Sequence, residues 1–284
     1  GQFSVTLNYA QEYYAYHAVS MNPLRNDEVG QQGKLFYRIA KNFVNGLRLS
    51  SIVWSNGTVN FIGGALRQDL AGTTLTDPTD EANTSARTLD VIEVRSNNNQ
   101  LCKKIRLKQS YFIDNSTSLS SKLTFLSINT DKYRLKLDSL LEYSCDSTLQ
   151  VPAHKFEYYT EKVPRRLSFA QDHWGFYNGQ DANQDLISTY TLDNFSSVSM
   201  GNREPAWPAM RGGTLKKITY PTGGIHELVM EPHDTWVSYQ KYNESQIQSA
   251  TLGFGNSATT YTSPIFSMGS NYYKLTASLP SSES

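Results

Sequence analysis

The residues with the most chemistry per unit length are Asp172-His173-Trp174-Gly175-Phe176-Tyr177-Asn178-Gly179, which place an acid, an imidazole, an indole, a phenol and an amide within one short stretch. Two arrangements suit that set. In a ligand pocket for a glycan or another polar molecule, Trp174 or Tyr177 would offer a stacking face, and Asp172, His173 and Asn178 would supply orienting hydrogen bonds. In a structural corner, Trp174 would fill the core, His173 would satisfy a buried carbonyl, and Asn178-Gly179 would make a turn. The corner is the default, because polar side chains in such places are usually taken up by backbone groups.

Other combinations carry less. A glycoside-cleaving enzyme needs two carboxyl groups about 5 to 9 Å apart, and with 26 acidic residues some pair must qualify. Neither Asp172 with Glu204 nor Glu227 with Glu231 is singled out beyond lying near turns or on one strand face. His226 and His233 do not make a zinc motif, since the segment between them alternates like a strand and contains Pro232. The oxygen-rich run Asp77-Pro78-Thr79-Asp80-Glu81 lacks the EF-hand pattern and reads as a solvated turn. There is no nucleophile elbow, phosphate-binding loop or dinucleotide fingerprint. The sequence therefore predicts no catalytic residue, metal or cofactor, with a glycoside-active enzyme as the most remote reading.

The elements that must position the aromatic cluster are strands. Apolar residues are 38% of the chain, and because Tyr and Gly each number 18 the figure is unchanged when one replaces the other. That lies below the roughly 45–50% of average domains, so aromatic rings, 12% of residues, must supply much of the burial, and rings with wet hydroxyls suit pleated surfaces. Helical periodicity is nearly absent. Short alternating runs predict strands at Leu49–Trp54, Leu89–Arg95, Leu101–Phe112, Leu135–Tyr143, Lys155–Tyr159, Leu215–Tyr220 and Ile225–Glu231. Gln11–Ala18 fits either a helical turn or a tyrosine-bearing strand. The polar stretches Ala71–Arg87, Asn178–Arg203 and Asn243–Ser263 exceed hairpin loops and suit functional or mobile connections.

A weak repeat relates two of these runs. Leu49-Ser-Ser-Ile52-Val-Trp54-Ser-Asn56-Gly57, continuing to Phe61, aligns with Leu215-Lys-Lys-Ile218-Thr-Tyr220-Pro221-Thr-Gly223-Gly224, continuing to Leu228. Both predict strand, turn, strand, the first through an Asn56-Gly57 type I′ turn and the second through Pro221 and Gly223-Gly224. Leu137–Leu140 with Lys155–Tyr158 is a looser third copy. Related hairpins added in sequence build an open sheet whose edges need cover.

Basic and acidic residues number 26 each, and no basic run breaks the balance, which argues against a nucleic-acid partner. No apolar stretch approaches the roughly 20 residues of a membrane span. Gly1-Gln2-Phe3 lacks the basic and apolar regions of a signal peptide, so export would require a segment that this chain does not include. Cys102 and Cys145 fit either a cross-strand bridge or two free thiols.

Ala170-Gln-Asp-His-Trp-Gly-Phe-Tyr-Asn-Gly179 and Gly213-Thr-Leu-Lys-Lys-Ile-Thr-Tyr-Pro-Thr-Gly-Gly224, with Tyr133–Ser139 and Lys155–Tyr158 upstream, resemble segments of Rhs-like or YD-repeat proteins of Bacteroidetes. The resemblance covers roughly Leu89 to Trp236. It departs from that pattern after Tyr220-Pro221, where an aromatic ending is replaced by Leu228-Val229-Met230. It implies export to the cell surface or medium, a scaffold of β-hairpins, and roles in display, adhesion, competition or enclosure of an effector, without a catalytic centre in this segment. The expectation is thus an all-β chain of antiparallel hairpins with little helix, as a sandwich or partial shell, with a β-rich domain over 1–239 and a further segment over 240–284. Its partner would be the rest of its own polypeptide, a surface partner or a glycan.

Overall fold

The computed structural model describes residues 4–23, 35–74, 80–116, 123, 128–148, 150–186 and 201–232. The chain divides into the units Gly1–Pro232 and His233–Ser284, and only the first contains described residues. Expectations placed on Asn243–Ser263, His233 and Asp77–Thr79 lie outside them.

The fold is all-β and antiparallel. Nine strands, β1 (Val5–Pro23), β2 (Leu35–Trp54), β3 (Gly57–Leu66), β4 (Arg87–Ser96), β5 (Leu101–Ile113), β6 (Tyr133–Tyr143), β7 (His154–Tyr158), β8 (Leu215–Thr219) and β9 (Ile225–Glu227), lie in one sheet in sequence order. The described strands make a single meander, not the two packed sheets of a sandwich. Every predicted strand is present. Gln11–Ala18 belongs to β1, so the helical alternative is not taken. No helix among the described residues is long and apolar enough to cross a membrane.

Both repeated segments form hairpins, but by different turns. In the second, the Tyr220 amide donates to the Gly224 carbonyl at 2.8 Å and the Gly223 amide to the Tyr220 carbonyl at 2.9 Å, with Gly223 at φ +85°. Pro221, Thr222 and Gly223 thus make a three-residue loop whose last residue needs positive φ. In the first, Trp54 faces Gly57 directly, so the loop residues are Ser55 and Asn56. Neither Asn56 nor Gly57 has positive φ, so the expected Asn56-Gly57 type I′ turn is not formed. Gly57 answers a different demand: a Cβ there would lie 2.3 Å from the Arg95 carbonyl oxygen of β4 and 3.1 Å from the Trp54 ring. Close packing of β4 selects the glycine.

The long β1–β2 hairpin outruns β3, which pairs only with Ser51–Trp54. A bulge that leaves Ser50 unpaired, between the pairs Asn8–Ser51 and Tyr9–Leu49, re-aims the outer part of the ribbon. There the edge of β1 is covered by the β3–β4 connection. Ala15 and Ala71 exchange amide-to-carbonyl bonds of 2.8 Å each, Ala71 also bridges to Ala82, and the Tyr13 amide donates to Ser85 Oγ at 3.0 Å. An exposed strand edge is an aggregation hazard, and this connection removes part of it.

The apolar core is small and lies at this end of the sheet. Leu123, Ile128, Leu167 and Phe169 pack against Val19, Tyr37, Ile39 and Leu186. Tyr37 stacks on Phe169 with ring centroids 5.1 Å apart. Beside it, Arg165 makes a buried two-point pair with Asp131, at 2.7 and 3.0 Å, and donates to the Ile128 carbonyl at 2.8 Å. Asp114 accepts from the Arg165 and Ser116 amides, both at 2.9 Å. Burial alone would raise the Asp114 pKa. Those bonds and the nearby Lys162 ammonium outweigh it, and the net shift is downward.

Candidate functional site

The aromatic cluster belongs to the connection between β7 and β8, whose described residues leave the sheet at Tyr159 and return at Thr214. Its two ends are fastened together: the Tyr159 amide donates to the Thr214 carbonyl at 3.0 Å. Arg211 lies 4.5 Å from the Tyr159 ring centroid and 5.4 Å from that of Trp207, and pairs with Glu161 at 2.6 Å. That guanidinium holds the Glu161 carboxyl below its ordinary pKa. The Tyr159 hydroxyl in turn donates to the Leu228 carbonyl at 2.7 Å and accepts from the Met230 amide at 3.3 Å. β9 ends at Glu227, short of the expected Glu231; the Leu228 amide still donates to the Lys216 carbonyl of β8 at 2.8 Å.

Within this segment Gln171 and Tyr177 form an isolated antiparallel bridge, which makes 171–177 a miniature hairpin. Asp172 closes it. One carboxylate oxygen, Oδ1, accepts the Trp174 and Phe176 amides at 2.9 Å each. The Asp172 amide donates to the Phe176 carbonyl at 2.8 Å, and the Gly175 amide donates to the Asp172 carbonyl at 3.2 Å. Gly175 sits at φ +91°, a conformation that side chains disfavour. A short acidic side chain bonded to amides two and four residues ahead is how Asp organises a turn without regular secondary structure.

Asn178 anchors the loop from below. Its side-chain amide donates to the carbonyls of Asn202 and Glu204 at 2.9 and 3.2 Å. Asn183 donates to the carbonyls of Phe169 and Asn202 at 3.1 and 2.7 Å, and accepts the Asn202 amide at 2.8 Å. Arg203 completes the brace by donating to the carbonyls of Gln171, Leu186 and Asp172. Gly201 permits the approach, since a Cβ there would lie 2.3 Å from the Asp185 carbonyl oxygen.

The residues expected to form a site therefore divide. Asp172 and Asn178 are buried, at 0% and 1% exposure, the first bonded to amides of the loop and the second to the carbonyls of Asn202 and Glu204. Tyr177 is half-buried, its hydroxyl donating to Asp181 at 3.1 Å, with Lys162 5.9 Å from the ring centroid. Burial and then the Asp181 charge raise its pKa, so it stays a neutral phenol. His173 and Trp174 are exposed, their rings edge-on with centroids 6.3 Å apart. The corner reading put Trp174 in the core, and there the structure differs: the ring is 73% exposed. Phe176, not counted among the candidates, is also exposed, at 54%. The available signal was composition alone, a second large ring in the same short stretch. Arg203 and the Asn183–Asn202 pair carried no such signal.

Two open grooves lie elsewhere, on the sheet. One of about 750 Å³ is lined in part by Asp138, Lys155, Phe156, Glu157 and Tyr220, and one of about 500 Å³ by Asp90, Arg106, Gln109 and Tyr111. The acids of the larger groove are each taken by a lysine, Asp138 by Lys136 and Glu157 by Lys217. Of Asp172 and Glu204, the first is enclosed and the second is exposed. The acids on β9 and beyond, Glu227 and Glu231, are both exposed. Among the described residues, no group of three or more His, Cys, Asp and Glu side chains could hold a metal ion.

Compared with protein-family models, curated proteins and solved structures, the chain gives no match.

Proposed function

We propose that this chain is a non-catalytic interaction module of an exported, Rhs-like surface protein, and that it engages its partner through the loop 171–177. The observation that carries this reading is the pairing of a fully enclosed Asp172 with a Trp174 ring that is 73% exposed. A loop whose amides are tied to a buried carboxylate has already lost much of its freedom, so an aromatic at its tip binds with less ordering cost. Large aromatics held in that way are the residues that dominate interfaces. The resemblance in Ala170–Gly179 and Gly213–Gly224 supports the exported, surface-displayed setting.

A carbohydrate-binding module is the second reading, favoured by the exposed Trp174 and by a second exposed aromatic, Phe176, two residues along the chain. Sugars stack on such rings, and the neighbouring polar groups would orient them. The two readings separate on a glycan array and on binding to intact bacterial envelopes, each run with the wild type and Trp174→Ala. Specific glycan capture lost in Trp174→Ala selects the carbohydrate module. Envelope binding lost in the variant, without glycan capture, selects a protein or other surface partner. Binding that survives in both Trp174→Ala and Phe176→Ala contradicts any role for the loop.

A further inference from the structure

Cys102 and Cys145 are 43 positions apart in sequence, and both are exposed. The sheet brings them together. Lys104 of β5 faces Tyr143, the last residue of β6, and two further steps outward on each chain lead to Cys102 and Cys145. Cys102 occupies a bulge, since its neighbours Leu101 and Lys103 pair with the adjacent residues Arg95 and Val94. Cys145 lies in the turn after β6, which is closed by the Ser147 amide donating to the Ser144 carbonyl at 2.9 Å. The Cys145 thiol donates to the carbonyl oxygen of Cys102 at 2.7 Å. That carbonyl carbon is one bond of about 1.5 Å from the Cα that carries the second thiol, and the Cys102 thiol, 3.5 Å from the Gln100 carbonyl oxygen, must turn from that contact to meet the Cys145 sulfur. A disulfide tolerates Cα separations of roughly 4.4–6.8 Å and needs its Cβ atoms about 3.5–4.5 Å apart, distances typical of opposed residues at the end of an antiparallel pair.

We propose that Cys102 and Cys145 are a disulfide site that staples the outer end of β5 to the turn following β6. The oxidant is a small-molecule or protein disulfide. One cysteine thiolate attacks it, forming a mixed disulfide and expelling one thiol. The second cysteine loses its proton and attacks the mixed disulfide at the protein sulfur, forming the internal bond and releasing the second thiol. Two protein thiols are oxidised, and one external disulfide is reduced to two thiols. Exposure of both cysteines gives the oxidant access, and the closed loop restricts the unfolded chain, so the bond stabilises the sheet. The inference rests on the strand register and not on the proposed binding role of the loop 171–177.

The test uses the full chain, the single variants Cys102→Ser and Cys145→Ser, and buffers of reduced and oxidised glutathione in varied ratio. After acid quench and thiol blocking, non-reduced digests are mapped by mass. The expected wild-type product has lost two hydrogens and contains one cross-linked peptide pair carrying Cys102 and Cys145. Each serine variant instead holds a single glutathione adduct. The oxidised wild type should melt several degrees higher than its reduced form, whereas the melting of the serine variants should not depend on the redox buffer. Separate glutathione adducts on both wild-type cysteines at every ratio, or bonds formed only between chains, would overturn the site. An internal bond that lowers the melting temperature would overturn the staple.

Discussion

Between Leu101 and Tyr143, β5 and β6 are held by a backbone ladder that runs from Lys104–Tyr143 to Ile113–Tyr133. Among the described residues between 165 and 204 there is almost no ladder, and the backbone is fastened instead by the side chains of Asp114, Asp172, Asn178, Asn183 and Arg203. The sheet satisfies its amides and carbonyls with one another, so its surface residues are free to vary. The irregular segment satisfies them with particular polar side chains, enclosed where water cannot replace a lost partner. Single substitutions should therefore cost far more in the second region, except where strands approach too closely for a side chain.

The largest effect is expected at the buried pair. Arg165→Met leaves Asp131 enclosed without its cation and should destabilise the chain by about 3–5 kcal/mol in denaturant unfolding. Adding Asp131→Leu should recover much of that loss, because the uncompensated charge is then gone. A single variant costing less than about 1 kcal/mol would remove the contrast between the regions.

Next is Asp172→Ala, which strips the acceptor from the Trp174 and Phe176 amides. It should cost about 1–3 kcal/mol, while Trp174→Ala at the exposed tip of the same loop should stay within about 0.5 kcal/mol of wild type. Equal losses in the two variants would mean that the tip is part of the core. In the sheet, Gly57→Ala should cost a comparable 1–3 kcal/mol, roughly the penalty for overpacking, since its Cβ would meet the Arg95 carbonyl at 2.3 Å. Thermal melting of the three variants side by side checks the ranking.

The smallest effect concerns pH. Glu81 pairs with Lys41 at 2.8 Å and accepts the Thr74 amide at 2.6 Å. Burial opposes ionisation, but the bonds from Lys41 and Thr74 prevail and bring its pKa from 4.5 down to about 2. A depressed folded-state pKa stabilises the fold above the unfolded value, and that contribution is lost as pH falls from about 4.5 toward about 2. Glu81→Gln should flatten the corresponding part of the stability profile, measured by denaturant midpoint between those limits. An unchanged slope would show that Glu81 is not a contributor.

The same contrast explains what could be read in the sequence. Alternation locates β4, β5, β6, β7 and β8 to within a few residues, because a half-buried strand imposes a period of two on its residues. The aligned hairpins at Leu49 and Leu215 were legible for the same reason. The role of Gly57 was not, since a turn with positive φ and a close neighbouring strand ask for the same residue. Gln11–Ala18 was ambiguous because Tyr and Ala suit either element, and its strand state is settled by pairing with Phe43–Ala40 and neighbouring residues of β2. In the cluster 172–179, composition shows a concentration of polar and aromatic groups but not which rings face outward. Asn178 reaches carbonyls 24 and 26 residues away, and a backbone carbonyl leaves no signature in the identity of its residue.

The central claim is that an enclosed carboxylate holds the loop 171–177 rigid while its aromatic rings remain open to a partner. Amide hydrogen exchange at Trp174 and Phe176, followed by NMR, tests it most directly. Both amides should be protected to a degree comparable with β5 and β6, despite side chains that are 73% and 54% exposed, and Asp172→Ala should abolish that protection while β5 stays protected. Exchange of both wild-type amides at the rate of an unstructured peptide would contradict the account.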